Sequence, residues 1–114
     1  MEINELIDKI KTFCEERDWD QYHNPKDLAI GISTEAAELL DLFRFKNNEE
    51  IQDTVTNRRE HIEDELADVL FFVLRFAQTN DIDLKKALDN KMAKNAIKYP
   101  IDKVKGNNKK YNEY

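Results

Sequence analysis

Apolar residues recur at spacings of three and four along most of this chain, which is the pattern of amphipathic helices. The pattern predicts four helices: residues 2–17, about 25–46, a third from the region of Asn57 to about Thr79, and about 84–98. The third carries the widest apolar stripe, so we expect it to be the most buried helix. Because that stripe is wider than one domain needs, it also predicts a subunit interface.

The segments between the helices are polar. Residues 18–24 break the periodicity and predict a loop, although this loop carries Trp19, Tyr22 and His23. Residues 47–57 predict a polar connection with at most one short turn. The chain from Ile101 onward predicts a basic tail.

Helix starts are marked by residues whose side chains can accept hydrogen bonds from free backbone N–H groups. Asn24 followed by Pro25 predicts the start of the second helix. Asn57 with Glu60 three residues later predicts a capping box for the third, with Thr54 or Thr56 as alternative caps. For the fourth helix, Asp83 is the predicted cap, and that helix should stop before the pair Tyr99-Pro100.

Composition narrows the class of protein. A chain of 114 residues fits one domain, and 37% charged residues with only two glycines and two prolines favour an all-α fold. A net charge of −6 argues against nucleic-acid binding. Because Cys14 is the single cysteine, no disulfide can form within the chain, and we interpret Cys14 as a buried structural thiol. Without an apolar signal core or a run of ~20 apolar residues, we expect a cytoplasmic protein that does not enter a membrane.

Two pairs of acids carry the candidate chemistry. Glu35 and Glu38 lie in the second predicted helix, and Glu65 and Asp68 lie in the third. Residues three apart share one face of a helix, so two packed helices could bring all four carboxylates around one point. Four such groups repel one another unless a cation lies between them. The pattern therefore predicts a divalent cation that holds a phosphate-bearing substrate.

Magnesium suits such a site, because it prefers oxygen ligands and commonly joins carboxylates to substrate phosphates. One or two ions are possible, since four carboxylates can serve a two-metal reaction. Acidic pairs also arise by chance in a chain with 24 acidic residues. The alternative is a non-catalytic helical interaction module whose acids only keep it in solution. Gly31, one turn before Glu35, fits either close helix packing or clearance for a ligand.

The two acidic motifs, E-x-x-E and E-x-x-D on successive helices, resemble those of the MazG-like all-α nucleoside triphosphate pyrophosphohydrolases. Further segments resemble the dCTP pyrophosphatase branch of that family in the same order. They are residues 15–25, 42–46, 91–95 and 99–100. The resemblance covers most of the chain.

The resemblance implies a four-helix MazG-like bundle, completed by oligomerisation into a homodimer or homotetramer. It implies one MazG-like domain over residues 1–114, with about 101–114 as a basic tail. The implied activity is Mg²⁺-dependent hydrolysis of deoxynucleoside triphosphates, dCTP or related, to the monophosphate and pyrophosphate. A phosphoribosyl-ATP pyrophosphohydrolase is the alternative enzyme, against which the aromatic loop before Pro25 argues.

The resemblance also assigns roles to individual residues. Glu35, Glu38, Glu65 and Asp68 would be the catalytic metal ligands. The implied substrate-binding residues are Trp19, His23, Phe45, Phe72, Lys91, Asn95, Lys98 and Tyr99. This chain departs from the dCTP branch at Phe45, where Trp is usual, and at Phe72, where Tyr is usual. Loss of that hydroxyl argues against a narrow preference for dCTP. The roles of Lys109, Lys110 and Tyr111 stay open.

Overall fold

The computed structural model describes residues 2–108, and every regular element within them is a helix. The predicted all-α class is therefore confirmed. A 3₁₀ turn, Asp20–Tyr22, lies between the first two helices. The α-helices are α1 (Ile3–Glu16), α2 (Pro25–Asp41), α3 (Asn48–Asn57), α4 (Arg59–Thr79), α5 (Leu84–Lys98) and α6 (Ile101–Val104).

The chain divides into two compact units, the first ending at Asp81 and the second beginning at Ile82. In the first unit α4 is central, because it packs most extensively on α2 and also contacts α1 and α3. The predicted third helix thus lies at the core. The buried apolar residues of this unit are Cys14, Leu28, Leu42, Leu74 and Ala77.

The second predicted helix ends earlier than expected, at Asp41 rather than near Lys46. The amides of Leu42 and Phe43 bond to carbonyls three residues back, which tightens the chain into a turn. Phe45 then adopts a left-handed backbone with φ of 63°. A left-handed residue cannot continue a right-handed helix, so the chain leaves the axis of α2 here.

A ten-residue helix, α3, occupies the segment for which a polar connection was predicted. Asn47 caps it by accepting from the Glu50 amide at 2.9 Å, while Glu50 accepts from the Asn47 amide at 3.2 Å. This reciprocal capping box satisfies two free donors at once. The motif Asn47-x-x-Glu50 is visible in the sequence and was the signal that the prediction missed.

The predicted caps of the third helix are wrong. Asn57 is the last residue of α3, and Arg58 stands at the start of α4 without a side-chain cap. The hydroxyls of Thr54 and Thr56 bond to carbonyls four residues back within α3. Glu60 therefore has no capping partner at Asn57, because that residue already belongs to the preceding helix.

In the second unit α5 has the predicted limits, and Asp83 caps it by accepting from the Lys86 amide at 3.1 Å. From its apolar positions, such as Leu88 and Met92, this helix was expected to bury one face. That expectation is wrong for the single chain, since α5 contains no buried residue and Leu88 and Met92 are about 60% exposed. The short helix α6 was not predicted. Residues 109–114, with the open positions Lys109, Lys110 and Tyr111, lie outside the described residues.

Among the helices of residues 2–108, none combines the length and the apolar character that crossing a membrane requires. The prediction of a single domain over 1–114 stays a prediction.

Candidate metal centre

The packing of α4 on α2 brings the four predicted acids together. Glu35 and Glu38 extend from α2, and Glu65 and Asp68 from α4. Each contributes one carboxylate oxygen, and these four oxygens all lie within 4.8 Å of one another. The two pairs lie 30 residues apart in sequence and meet only because the two helices pack face to face.

The two members of each pair differ in burial. Glu35 and Glu65 are half-buried, whereas Glu38 and Asp68 are exposed. The Oε2 atoms of Glu35 and of Glu65 are buried and have no hydrogen-bond partner among the described residues. A buried polar atom without a partner is costly and rare, and an absent ion is one of its ordinary explanations.

This environment makes ionisation of the buried carboxylates unfavourable. Burial, the close approach of the Glu38 carboxyl group and repulsion from Glu38, Asp68 and Glu65 raise the pKa of Glu35 from 4.5 to about 7. Burial is also the largest cause of the raised pKa of Glu65, and the close approach of the Glu38 carboxyl group, with the repulsion between them, is the next. Without a cation, these carboxyl groups therefore hold their protons to a higher pH than usual, and a bound cation would neutralise the same charges.

His61 supports Glu65 from outside the cluster. Its Nε2 atom lies 3.4 Å from Glu65 Oε1, and its Nδ1 atom lies 2.7 Å from Arg58 Nη2. A guanidinium only donates, so Nδ1 must accept, and the proton of the neutral ring lies on Nε2, facing the carboxylate. Glu65 thus has one oxygen beside His61 and its other oxygen, Oε2, without a partner. His61 is therefore a neighbour of Glu65 and lies outside the four converging acids.

Gly31 permits a close approach of α2 to α4. It is buried, and a Cβ atom at this position would lie 2.6 Å from the ring of Phe72. That distance is shorter than real Cβ contacts allow, so a side chain here would displace the ring. Of the two interpretations left open by the sequence, close helix packing is the one that this geometry supports.

A line of aromatic side chains connects three of the predicted substrate-binding residues. Neighbouring ring centroids are separated by 5.5 to 6.1 Å. We call this set the aromatic line, and its members in order of contact are Phe72, Phe71, Phe13, Trp19 and His23. Phe72 follows Asp68 by one helical turn, so the line begins beside the acids and ends in the 3₁₀ turn segment.

The remaining predicted substrate-binding residues are Phe45 of the first unit and four residues of the second unit. Phe45 is 92% exposed and contacts the Arg44 guanidinium, outside the aromatic line. Lys91, Asn95 and Lys98 lie on α5, and Tyr99 is its C-terminal cap. These four belong to the second unit, and their roles stay predictions.

Sequence reasoning missed Arg75. This residue of α4 is buried, with 1% of its surface exposed. Its Nε donates to His23 Nδ1 at 2.8 Å, and its other nitrogens donate to the carboxylate of Asp20 and the side-chain oxygen of Gln78. The available signal was a single charge inside the apolar run of the third predicted helix. Such a charge is rarely buried unless it is paired.

Comparisons with known proteins give three results. A family model described as the MazG-like family matches residues 30–114. The proteins named dCTP pyrophosphatase 1 from Rattus norvegicus and from Homo sapiens are each 34% identical over 103 residues, 89% of this chain. The chain spans 61% of the length of these relatives. A crystal structure of a pyrophosphatase from Archaeoglobus fulgidus is 39% identical with a TM-score of 0.81, covering 85% of this chain and 91% of that one.

Proposed function

The chain belongs to the MazG-like family, and from that membership we propose that it hydrolyses nucleoside triphosphates. The predicted MazG-like helical fold and the relation to the dCTP pyrophosphatase branch are confirmed by the similar proteins. The proposed substrate is a deoxynucleoside triphosphate, dCTP or a related one. Cleavage between the α- and β-phosphates would give the monophosphate and pyrophosphate.

One observation carries this proposal: four carboxylates converge within 4.8 Å, and two of their oxygens are buried without partners. The donor set consists of carboxylate oxygens, which suits Mg²⁺ and not the softer metals. The residues present therefore fit the ion. Glu35, Glu38, Glu65 and Asp68 would hold one or two Mg²⁺ ions, and bound Mg²⁺ would neutralise the charge of the triphosphate.

The protein's own residues have separable tasks in this proposal. A glutamate that is not fully occupied as a ligand would accept the proton of the attacking water. Trp19, His23 and Phe72 of the aromatic line would hold the base. Stacking on aromatic rings accepts any base, so these residues alone do not select cytosine.

The remaining predicted contacts belong to the same proposal. Lys91 and Asn95 would contact the nucleotide, Lys98 and Tyr99 would assist them, and Phe45 would stack. The positive charge of Lys91 suits a phosphate.

We also propose a homodimer or homotetramer. Large apolar side chains stay exposed on α4, with Leu66 and Leu70 about half exposed, and α5 buries none of its residues. An apolar surface of this kind is typical of an interface between subunits. The single MazG-like domain over 1–114 and the cytoplasmic location stay predictions.

Neither alternative function is favoured by an observation. Acids that only keep a module in solution would be exposed, whereas Glu35 and Glu65 each bury an oxygen. The relatives named above are dCTP pyrophosphatases, which favours a deoxynucleotide over phosphoribosyl-ATP.

The test is pyrophosphate release from a panel of canonical and modified nucleotides, with and without Mg²⁺. Wild type is compared with Glu65→Gln and with Glu63→Gln as the matched control. Glu63 lies on the same helix, and its loss removes only an exposed ion pair with Arg59, worth less than about 1 kcal/mol. We expect release that requires Mg²⁺ and Glu65 but not Glu63. No release from any nucleotide by a folded protein would refute the proposal.

A further inference from the structure

Arg75 is a buried charge that lies outside the metal cluster. A guanidinium inside a core is tolerated only when its donors are paired. Arg75 contacts three side chains, and two of them, Asp20 and His23, lie more than 50 residues away in sequence. The network therefore attaches the 3₁₀ turn segment to α4, on which Glu65 and Asp68 also lie.

The contact with His23 determines where the imidazole carries its proton. Arginine stays protonated and has no acceptor, so its Nε–H must donate and His23 Nδ1 must accept. The neutral ring consequently carries its proton on Nε2. Burial and the positive charge of Arg75 lower the pKa of His23, while Asp20 opposes them. His23 is thus held as a neutral ring with one donor.

That donor is available for a ligand. Among the described residues of the first unit, none accepts a hydrogen bond from His23 Nε2, and the imidazole is partly exposed. The ring of Trp19 lies beside it, with centroids 6.1 Å apart. A single N–H group next to a flat aromatic surface suits a nucleobase, which offers a face for stacking and acceptor atoms on its edge.

We propose that Arg75 is a positioning residue that fixes His23 as the hydrogen-bond donor to an acceptor atom on the nucleobase. This inference rests on the proposed function, because it requires a nucleotide at the aromatic line. It adds two points to that proposal. Arg75 acts on the substrate through His23, and His23 donates the hydrogen bond that the base accepts. For cytosine the acceptors would be O2 or N3.

The first test measures the proton position without any substrate. The chain has two histidines, so the imidazole ¹⁵N signals in an NMR spectrum are assigned with one variant, His61→Gln. We expect His23 in a single form with the proton on Nε2, and a mixture of both forms in Arg75→Met. A proton on Nδ1, or an unchanged spectrum in Arg75→Met, would overturn the inference.

The second test measures nucleotide binding. Methionine fills a similar volume, and removing one partner of a buried ion pair is strongly destabilising because it leaves the other charge buried and unpaired. That cost does not arise here. Asp20 tolerates the change because its side chain is 58% exposed and can be hydrated. We expect Arg75→Met to melt near the wild-type temperature, with KM for dCTP raised about three- to tenfold, the effect of one lost hydrogen bond. The value of kcat should change little, because the bond also exists in the ground state.

A control variant and a control ligand separate this role from a general structural one. Gln78→Ala removes the third partner of Arg75 without touching His23, so KM should stay at the wild-type value. In a binding assay, Arg75→Met should weaken dCTP but not deoxyribose triphosphate that lacks a base. Combining Arg75→Met with His23→Phe should add nothing to His23→Phe alone.

The outcomes also separate the two proposals. A wild-type protein that binds no nucleotide refutes the proposed function and this inference together. A wild-type enzyme that is active while Arg75→Met keeps the same KM overturns this inference alone. Equal weakening of dCTP and the base-free triphosphate by Arg75→Met would also overturn it, because the effect would then not involve the base.

Discussion

Replacing Glu35 with Gln should stabilise the metal-free protein at neutral and alkaline pH. The pKa of Glu35 is raised in the folded protein from 4.5 to about 7, so the folded chain binds a proton more tightly than the unfolded chain. Its contribution to stability is therefore complete below pH 4.5 and is lost as the pH rises through 7. The rise in pKa corresponds to about 3 kcal/mol at pH 8. Glutamine keeps the shape and removes the charge.

Thermal unfolding in the presence of a chelator, at pH 5 and at pH 8, measures this effect. Glu35→Gln should melt above wild type at pH 8, by up to about 10 °C for a protein of this size, and close to wild type at pH 5. Added Mg²⁺ should reverse the order at pH 8, because a bound ion stabilises only a site with its ligands intact. Glu63→Gln, on an exposed face of α4, is the control and should follow wild type. A Glu35→Gln protein that melts no higher than wild type at pH 8 without metal would refute this account of the cluster.

Four further outcomes are expected. Calorimetry should show that Mg²⁺ binds more weakly at pH 6 than at pH 8, because Glu35 must lose a proton held with a pKa of about 7. An affinity that does not depend on pH would contradict the assignment of Glu35 as a metal ligand. Gly31→Ala should lower the free energy of unfolding, measured by denaturant titration, by about 1–3 kcal/mol, since its Cβ would lie 2.6 Å from Phe72. Adding Phe72→Leu to this variant should recover part of the loss. Asn47→Ala should cost about 1 kcal/mol in the same assay, through loss of the cap of α3, and no loss would mean that the capping box is unimportant. Leu70→Asp should shift sedimentation toward the monomer if the exposed face of α4 is the interface; an unchanged oligomer would exclude that face.

Much of the fold could be predicted because its signals are local. The period of apolar residues located α1, α4 and α5 to within a few residues, and Asn24 and Asp83 cap the helices that they were predicted to cap. The errors occurred where two local signals compete. Asn57 resembles a cap but ends α3, and the better capping box, at Asn47, lies in a segment that looks like a loop because it is polar.

For the candidate site too, some features follow from local sequence and others from tertiary packing. Residues three apart share a helix face whatever surrounds the helix, so the sequence by itself determined that Glu35 pairs with Glu38 and Glu65 with Asp68. Tertiary structure decided the rest: that the pairs meet, that one oxygen in each pair is buried, and that Arg75 reaches across to His23. The physical reason is that helical period is a property of neighbours along the chain. Burial and long-range hydrogen bonds depend on which helices pack together and how closely, and here that distance depends on Gly31 against Phe72.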